Sequence, residues 1–410
     1  EDVALTVRLG HVAVRHLMDN QTLRQPRAVP AQARASFSEA DTMTAEAALR
    51  FGSSRAYFEL GADAEITDRF VTITNPTNPA FFIDSQPDVK AERLGAYLQW
   101  RGVVGAVQFE LGGRIDRTEQ SAGVPQLGSA VPMGPRGLAA AFFTSGREAD
   151  DTTVDAVARL WIEGGALTPR LTLARKTRVP SVLERFAWLP TEASFGLADG
   201  NIYVGNQALK PEVAWIAEAG FDFANDWLTL RPTFYYRRID HFIQGTPFDA
   251  TPGVVNSPVE MVASMSGDPT PLMFRNTDAE LYGADFDFVV RPLANLELAG
   301  TASIVRGARR DIVDDLYRIP PANLRLSGTW ATGDLSLGAE VFATADQNRV
   351  SQTNGELVGD GYATVGLFAR YAVTEGLAIE TGIENLLDER YAPHLAGRSR
   401  VGARDARKRQ

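Results

Sequence analysis

His16 and Met18 set an imidazole and a thioether two residues apart. That donor pair suits a soft ion such as Cu(I) and suits magnesium or calcium poorly, because hard cations take oxygen ligands. A strand-end methionine is also an ordinary packing residue, so ligation and packing both stand at this point. Three further soft donors, Met261, Met265 and Met273, share one long polar stretch. There they are a possible secondary metal site, with gap-filling the favoured reading because methionine adapts to irregular packing. The chain has no cysteine, which excludes thiolate metal sites and disulfides within it. The sequence carries no familiar catalytic pattern: no Gly-x-Ser-x-Gly elbow, no phosphate-binding loop ending in Lys-Ser/Thr, no His-Glu-x-x-His. Asp240-His241 has no serine at a recognisable triad spacing, and the paired carboxylates Asp285 and Asp287 need no chemistry to explain them. The reading is therefore not an enzyme; an enzyme or adhesin is the out-of-class alternative.

What must position His16 and Met18 is a β-strand. Apolar residues alternate with charged or small ones along 213–223, where Val213, Trp215, Ala217, Ala219, Phe221 and Phe223 share one parity and Glu218, Gly220 and Asp222 the other. Residues 107–116, 296–304, 335–341, 363–371 and 377–383 repeat the pattern, giving each strand one apolar and one polar face. A charged face cannot be a packed core, but it can line a wet lumen while the apolar face meets lipid. The connections agree. Short turns are expected at Gly52-Ser53-Ser54, Gly102-Val103-Val104-Gly105, Gly164-Gly165-Ala166, Asn225-Asp226, Pro292-Leu293-Ala294-Asn295, Gly333-Asp334 and Glu375-Gly376. Between them lie long polar stretches such as 118–151, 178–212 and 241–278. Short turns at one end and long loops at the other are the mark of an all-β, antiparallel transmembrane β-barrel with periplasmic turns and extracellular loops.

Within that frame, Leu5, Val7 and Leu9 take the lipid face of the first strand and Thr6, Arg8 and Gly10 the lumen. His16 and Met18 share the second parity and are expected to point into the lumen near the outer rim. His11 has lipid-facing parity and is expected against a neighbour; His241 and His394, at loop starts, are expected in solvent. Trp215, Phe221, Trp227, Tyr235 and Tyr236 are read as an aromatic girdle at the bilayer interfaces. The net charge of −10 argues against general nucleic-acid binding. About fifteen strands are expected across residues 1–410, an odd number that reads as a partial barrel cut at both ends. The basic tail 401–410 lacks a terminal aromatic residue.

Five segments carry a family resemblance. Arg178-Val-Pro-Ser-Val-Leu-Glu-Arg-Phe186, followed by Gly205-Asn-Gln-Ala-Leu-Lys-Pro-Glu212, resembles the R-x-P-S-x-x-E-R-[FY] … G-N-x-x-L-x-P-E signature of TonB-dependent receptor barrels. Arg318-Ile-Pro-Pro-Ala-Asn-Leu-Arg-Leu326 and Ile383-Glu-Asn-Leu-Leu-Asp-Glu-Arg-Tyr391 resemble that family's late-strand segments. Glu184, Arg185 and Glu212 are expected to brace loops rather than touch ligand. Arg15-His-Leu-Met-Asp-Asn20 resembles the H-x-M-D-N segment of the OprC/NosA-type copper receptors. The resemblance implies an active importer in the outer membrane of a Gram-negative bacterium, a barrel of 22 strands around a plug, and TonB as energy partner. It implies copper as transported ligand, with no organic cofactor, held by His16 and Met18 together with a Cys-x-x-x-Met pair from the plug. It also implies that the plug and the first strands lie outside residues 1–410. A receptor for a siderophore or other organic metal chelate is the alternative.

Overall fold

The computed structural model describes residues 3–23, 29–191 and 200–396; the basic tail 401–410 lies outside them. In chain order the strands are β1 (Val3–Asp19), β2 (Ala35–Gly52), β3 (Tyr57–Asn75), β4 (Asn78–Val104), β5 (Val107–Ser121), β6 (Glu148–Ile162), β7 (Leu167–Arg178) and β8 (Tyr203–Val204). They continue as β9 (Glu212–Ala224), β10 (Leu228–Pro247), β11 (Leu272–Leu293), β12 (Leu296–Arg309), β13 (Asn323–Thr332), β14 (Leu335–Thr344), β15 (Tyr362–Thr374) and β16 (Leu377–Ile383). Helices α1 (Met133–Thr144), α2 (Val182–Phe186) and α3 (Pro258–Met265) lie within the connections. All strands but β8 form one antiparallel meander in chain order, and β8 adds in parallel to the start of β11. Among the described residues the meander therefore has the expected fifteen strands.

All seven expected short turns join strands at one end of the sheet. Gly105 and Gly333 have φ of 62° and 53°, the left-handed conformation that the tightest hairpins require. At the other end lie the long connections 20–34, 122–147, 179–211, 248–271, 310–322 and 345–361. The β3–β4 connection departs from expectation. These strands stay paired to Asn75 and Asn78, so a tight hairpin extending past the wall takes the place of a long loop. Its alternation is illegible because Ile73, Ile83 and Val89 are buried under other loops instead of facing lipid. Strands accordingly reach 27 residues, well beyond the ten or so that cross a bilayer.

Cross-strand partners share a face, so register carries the face assignment around the sheet. One row links Leu9, Ala45, Ala64, Leu94 and Arg117; another links Leu111, Ala158, Leu173, Ala217, Tyr236 and Tyr282. The face they define is apolar through mid-strand and exposed, as lipid contact requires. The opposite face carries ion pairs: Arg8–Glu46, Arg50–Glu59, Glu110–Arg159, Glu218–Arg237, Arg325–Glu340 and Arg370–Glu380. Asp63 lies 2.6 Å from Arg93 and 2.7 Å from Arg114, and Asp116 accepts from both arginines. Asp285, which accepts from Ser303, and Asp287 lie on this charged face as expected. Among the described residues no helix is long and apolar enough to cross a membrane.

The apolar core sits above the wall, in the loops. Phe186, Trp188 and Leu189 pack with Val131, Leu138 and Phe142 of the 122–147 connection, Val262 of α3, and the tip of the β3–β4 hairpin. The segment after β16 returns to this layer. Tyr391 stacks on Tyr362 at 4.1 Å, Arg318 donates to the Leu395 carbonyl, and buried His394 lies 3.1 Å from the Glu356 carboxylate. His394 is thus not the solvated residue expected. His241 is a strand residue too, at a bulge in β10 with φ of 59°, its N–H donating to Asp278.

Candidate metal centre and the loops above it

β1 ends in the segment that carries the soft donors. His16 is paired across to Ser38 and Met18 to Ser36, on the row parity of Arg8 and Glu46, which is the charged face. Both side chains are exposed, Met18 at 52%. Their strand neighbours are small (Ser36, Ser38, Ala40), so nothing bulky on β2 covers the ring or the thioether. Two residues along a strand advance about 6.6 Å. An ion held by both donors therefore sits between them and needs further ligands from outside β1.

Asp19 and Asn20, next in the chain, shape the rim. The Asp19 carboxylate accepts from the N–H groups of Gln21 and Thr22 at 2.8 and 2.6 Å, turning the chain off the strand. The Asn20 side chain accepts from Arg34 N–H and donates to the Gln32 carbonyl, clasping the far end of the same connection. Both residues act as scaffold that fixes the strand end where the donors lie. The signal for this role is generic: Asx turns favour Asp and Asn at such corners.

The secondary methionines divide. Met261 and Met265 sit one turn apart on α3, 47% and 71% exposed, on the side away from buried Val262 and Ala263. Met273 belongs to β11, opposite Thr246 and beside Val204 of β8, not to that helix. His11 faces outward, its Nε2 3.4 Å from Asp41, as its parity implied. Of the expected girdle, Tyr236 and Trp215 face outward near the long-loop end, while Phe221 and Trp227 lie toward the short turns. Tyr235 is a correction: it sits on the charged face over Gly283, where a Cβ would come within 2.5 Å of its hydroxyl. Adjacent residues of a strand point to opposite faces, so Tyr235 and Tyr236 cannot both meet lipid.

The signature residues brace the loops. Ser181 caps α2, exchanging hydrogen bonds with Glu184 in a capping box. Arg178 pairs with Glu184 at 2.8 Å and Glu212 at 2.6 Å, and Glu212 also accepts from the Ile243 N–H. Buried Arg185 lies 2.7 Å from Asp151 and donates to Gln120 and to the Leu209 carbonyl. Asp151 is the partner that the sequence reading missed, since nothing local marks one carboxylate in an acidic run as buried. These contacts tie the 179–211 connection to β5, β6, β7, β9 and β10.

A family model described as TonB dependent receptor-like, beta-barrel matches residues 7–386. No curated protein matches the sequence. Among solved structures, the chain is similar to the copper transporter OprC at 19% identity and a TM-score of 0.75, over 95% of this chain and 59% of that one. It is similar to the alcaligin outer-membrane receptor FauA of Bordetella pertussis at 16% identity and a TM-score of 0.57, over 93% and 56% of the two chains. The ferric yersiniabactin uptake receptor FyuA of Yersinia pestis follows at 14% identity and 0.57, over 88% and 50%. The chain thus spans less than two thirds of each of these neighbours, and the likeness to them is one of fold. With the family model covering nearly its whole length, this chain belongs to the TonB-dependent receptor β-barrel family.

Proposed function

We propose that this chain is part of the barrel of an active importer in the outer membrane of a Gram-negative bacterium, with copper as cargo. The observation that supports copper is the placement of His16 and Met18 on the charged row of β1, uncovered and at the long-loop end. A soft thioether and an imidazole there capture a soft ion from outside, and a plug domain in the complete receptor supplies the remaining ligands. TonB, acting on that plug, releases the ion inward. Met261 and Met265 on the exposed side of α3 offer weak secondary contacts on the way in, with Met273 apart from them. An iron-chelate receptor is the second reading, favoured by FauA and FyuA among the fold neighbours and by Phe143, which α1 leaves exposed in the loop layer.

The test is metal content by elemental mass spectrometry of the complete receptor after growth with copper. The expected result is about one copper per wild-type chain, lost in both His16→Ala and Met18→Ala, as a two-donor barrel site requires. Copper that is absent, or indifferent to both substitutions, overturns the copper reading and leaves the chelate.

A further inference from the structure

The outward face of the wall ends, near the long loops, in two sectors of opposite charge. Across β1–β6 the outward residues at that height are largely acidic, with Asp41, Asp68, Glu92, Glu119 and Asp150 against Arg15, Lys90 and Arg117. Across β7–β12 the balance reverses. Arg175 is directly opposite Trp215, and Trp215 is directly opposite Arg238; one step nearer the membrane centre, Tyr236 faces Tyr282 and Tyr282 faces Arg306. The Arg175 guanidinium lies 5.9 Å from the Trp215 ring centroid. Trp215, Tyr236 and Tyr282 are all substantially exposed. The nearby carboxylates are already engaged: Glu280 accepts from the Tyr236 hydroxyl, and Asp240 holds Arg310 at 2.9 Å, leaving Arg238 at 3.8 Å. Neither Arg175 nor Arg306 has a carboxylate partner among the described residues; each donates only to a backbone carbonyl.

We infer that Arg175, Arg238 and Arg306, with Trp215, Tyr236 and Tyr282 between them, bind the phosphorylated headgroup of a glycolipid in the outer leaflet. The position decides the occupant. The patch continues the lipid-facing band, which ends in Phe234 and Ile304 just below it, so what lies against it is a lipid. Strand spacing of about 4.8 Å puts Arg175 and Arg238 roughly 10 Å apart with an indole between them. That layout offers two planar forks to phosphate oxygens and an amphipathic ring to the sugar–acyl boundary. The acidic sector repels the same headgroup, so retention is confined to one side of the wall.

This inference rests on the outer-membrane reading, and its test keeps the two apart. The receptor is purified in detergent, exposed to diphosphorylated lipid A or to its dephosphorylated form, washed, and assayed for retained lipid by native mass spectrometry. A triple variant, Arg175→Gln, Arg238→Gln and Arg306→Gln, is compared with a control, Arg15→Gln and Arg117→Gln, from the acidic sector. Heat-modifiable migration on gels confirms that each variant forms a barrel, and single Arg238→Gln serves if the triple variant does not. The expected result is preference for the phosphorylated lipid in wild type and control, weakened about a hundredfold in the triple variant. Equal retention by the triple variant, equal retention of both lipids, or stripping by millimolar inorganic phosphate would each overturn the site. His16→Ala leaves lipid retention unchanged, so failure of the copper reading does not disturb this result.

Discussion

The wall and the loop layer are stabilised by different physics. The wall has no interior: its outward face is apolar because it meets lipid, and its inward face is a lattice of ion pairs in contact with water. The loop layer resembles a small soluble domain, with Leu189, Ile202, Ala263 and Leu316 at 1% exposure or less and a buried arginine at its base. In the wall, backbone ladders satisfy the polar groups and the solvent outside supplies the apolar contact. In the loops, side-chain packing and specific pairing do both. Sequence change is therefore tolerated differently in the two regions, and the sharpest tests exploit that.

The largest effect is expected at Arg185, where truncation leaves Asp151 buried without its partner. Arg185→Ala should destabilise the loop layer by about 3–5 kcal/mol. It should appear as fast amide exchange in residues 179–211 while β9–β12 stay protected; uniform loss of protection would erase the distinction between the regions. Next comes a matched pair. Leu189→Ala in the loop core should cost about 2–5 kcal/mol by chemical denaturation, because a cavity remains. Leu111→Ala on the lipid face should cost only the transfer term, about 1–2 kcal/mol, since lipid fills the space. Similar costs would sink the contrast.

The smallest effect is a pH dependence confined to the loops. Burial opposes ionisation of Asp314, but hydrogen bonds from Thr353, Gln352 and Ser351 outweigh it and hold the carboxyl below its usual range. A depressed carboxyl stabilises above its unfolded value of about 3.9 and loses that contribution as pH falls through the folded one. Protease resistance of residues 345–361 should thus be flat from neutral pH to about 4 and decline below it. In Asp314→Asn it should be lower throughout and lack that decline; a wild-type decline at higher pH would assign the effect to another group.

The wall was legible in the sequence because lipid and lumen impose a two-residue period that survives around every strand and all seven short turns. The parity of His16 and Met18 followed from the same period, extended from Leu5 to the strand end. The period stops being informative where a strand leaves the bilayer. Residues 73–89 carry no lipid-and-lumen period because Ile73 and Ile83 answer to a core assembled from segments far away in sequence. Helices α1 and α3 were missed for the same reason: each is a short segment fixed by its partner. His394 reads as solvated in the sequence because Glu356, its partner, lies 38 residues upstream.

That last contact has a consequence in time. The connections 310–322 and 345–361 are fastened to one another by Asp314 and Ser351, yet Arg318 and Glu356 also hold residues 394 and 395. Those two residues follow both connections in the chain and are separated from them by β15 and β16. The two loops therefore reach their final contacts only once β15 and β16 have paired and the segment that follows β16 has docked on them.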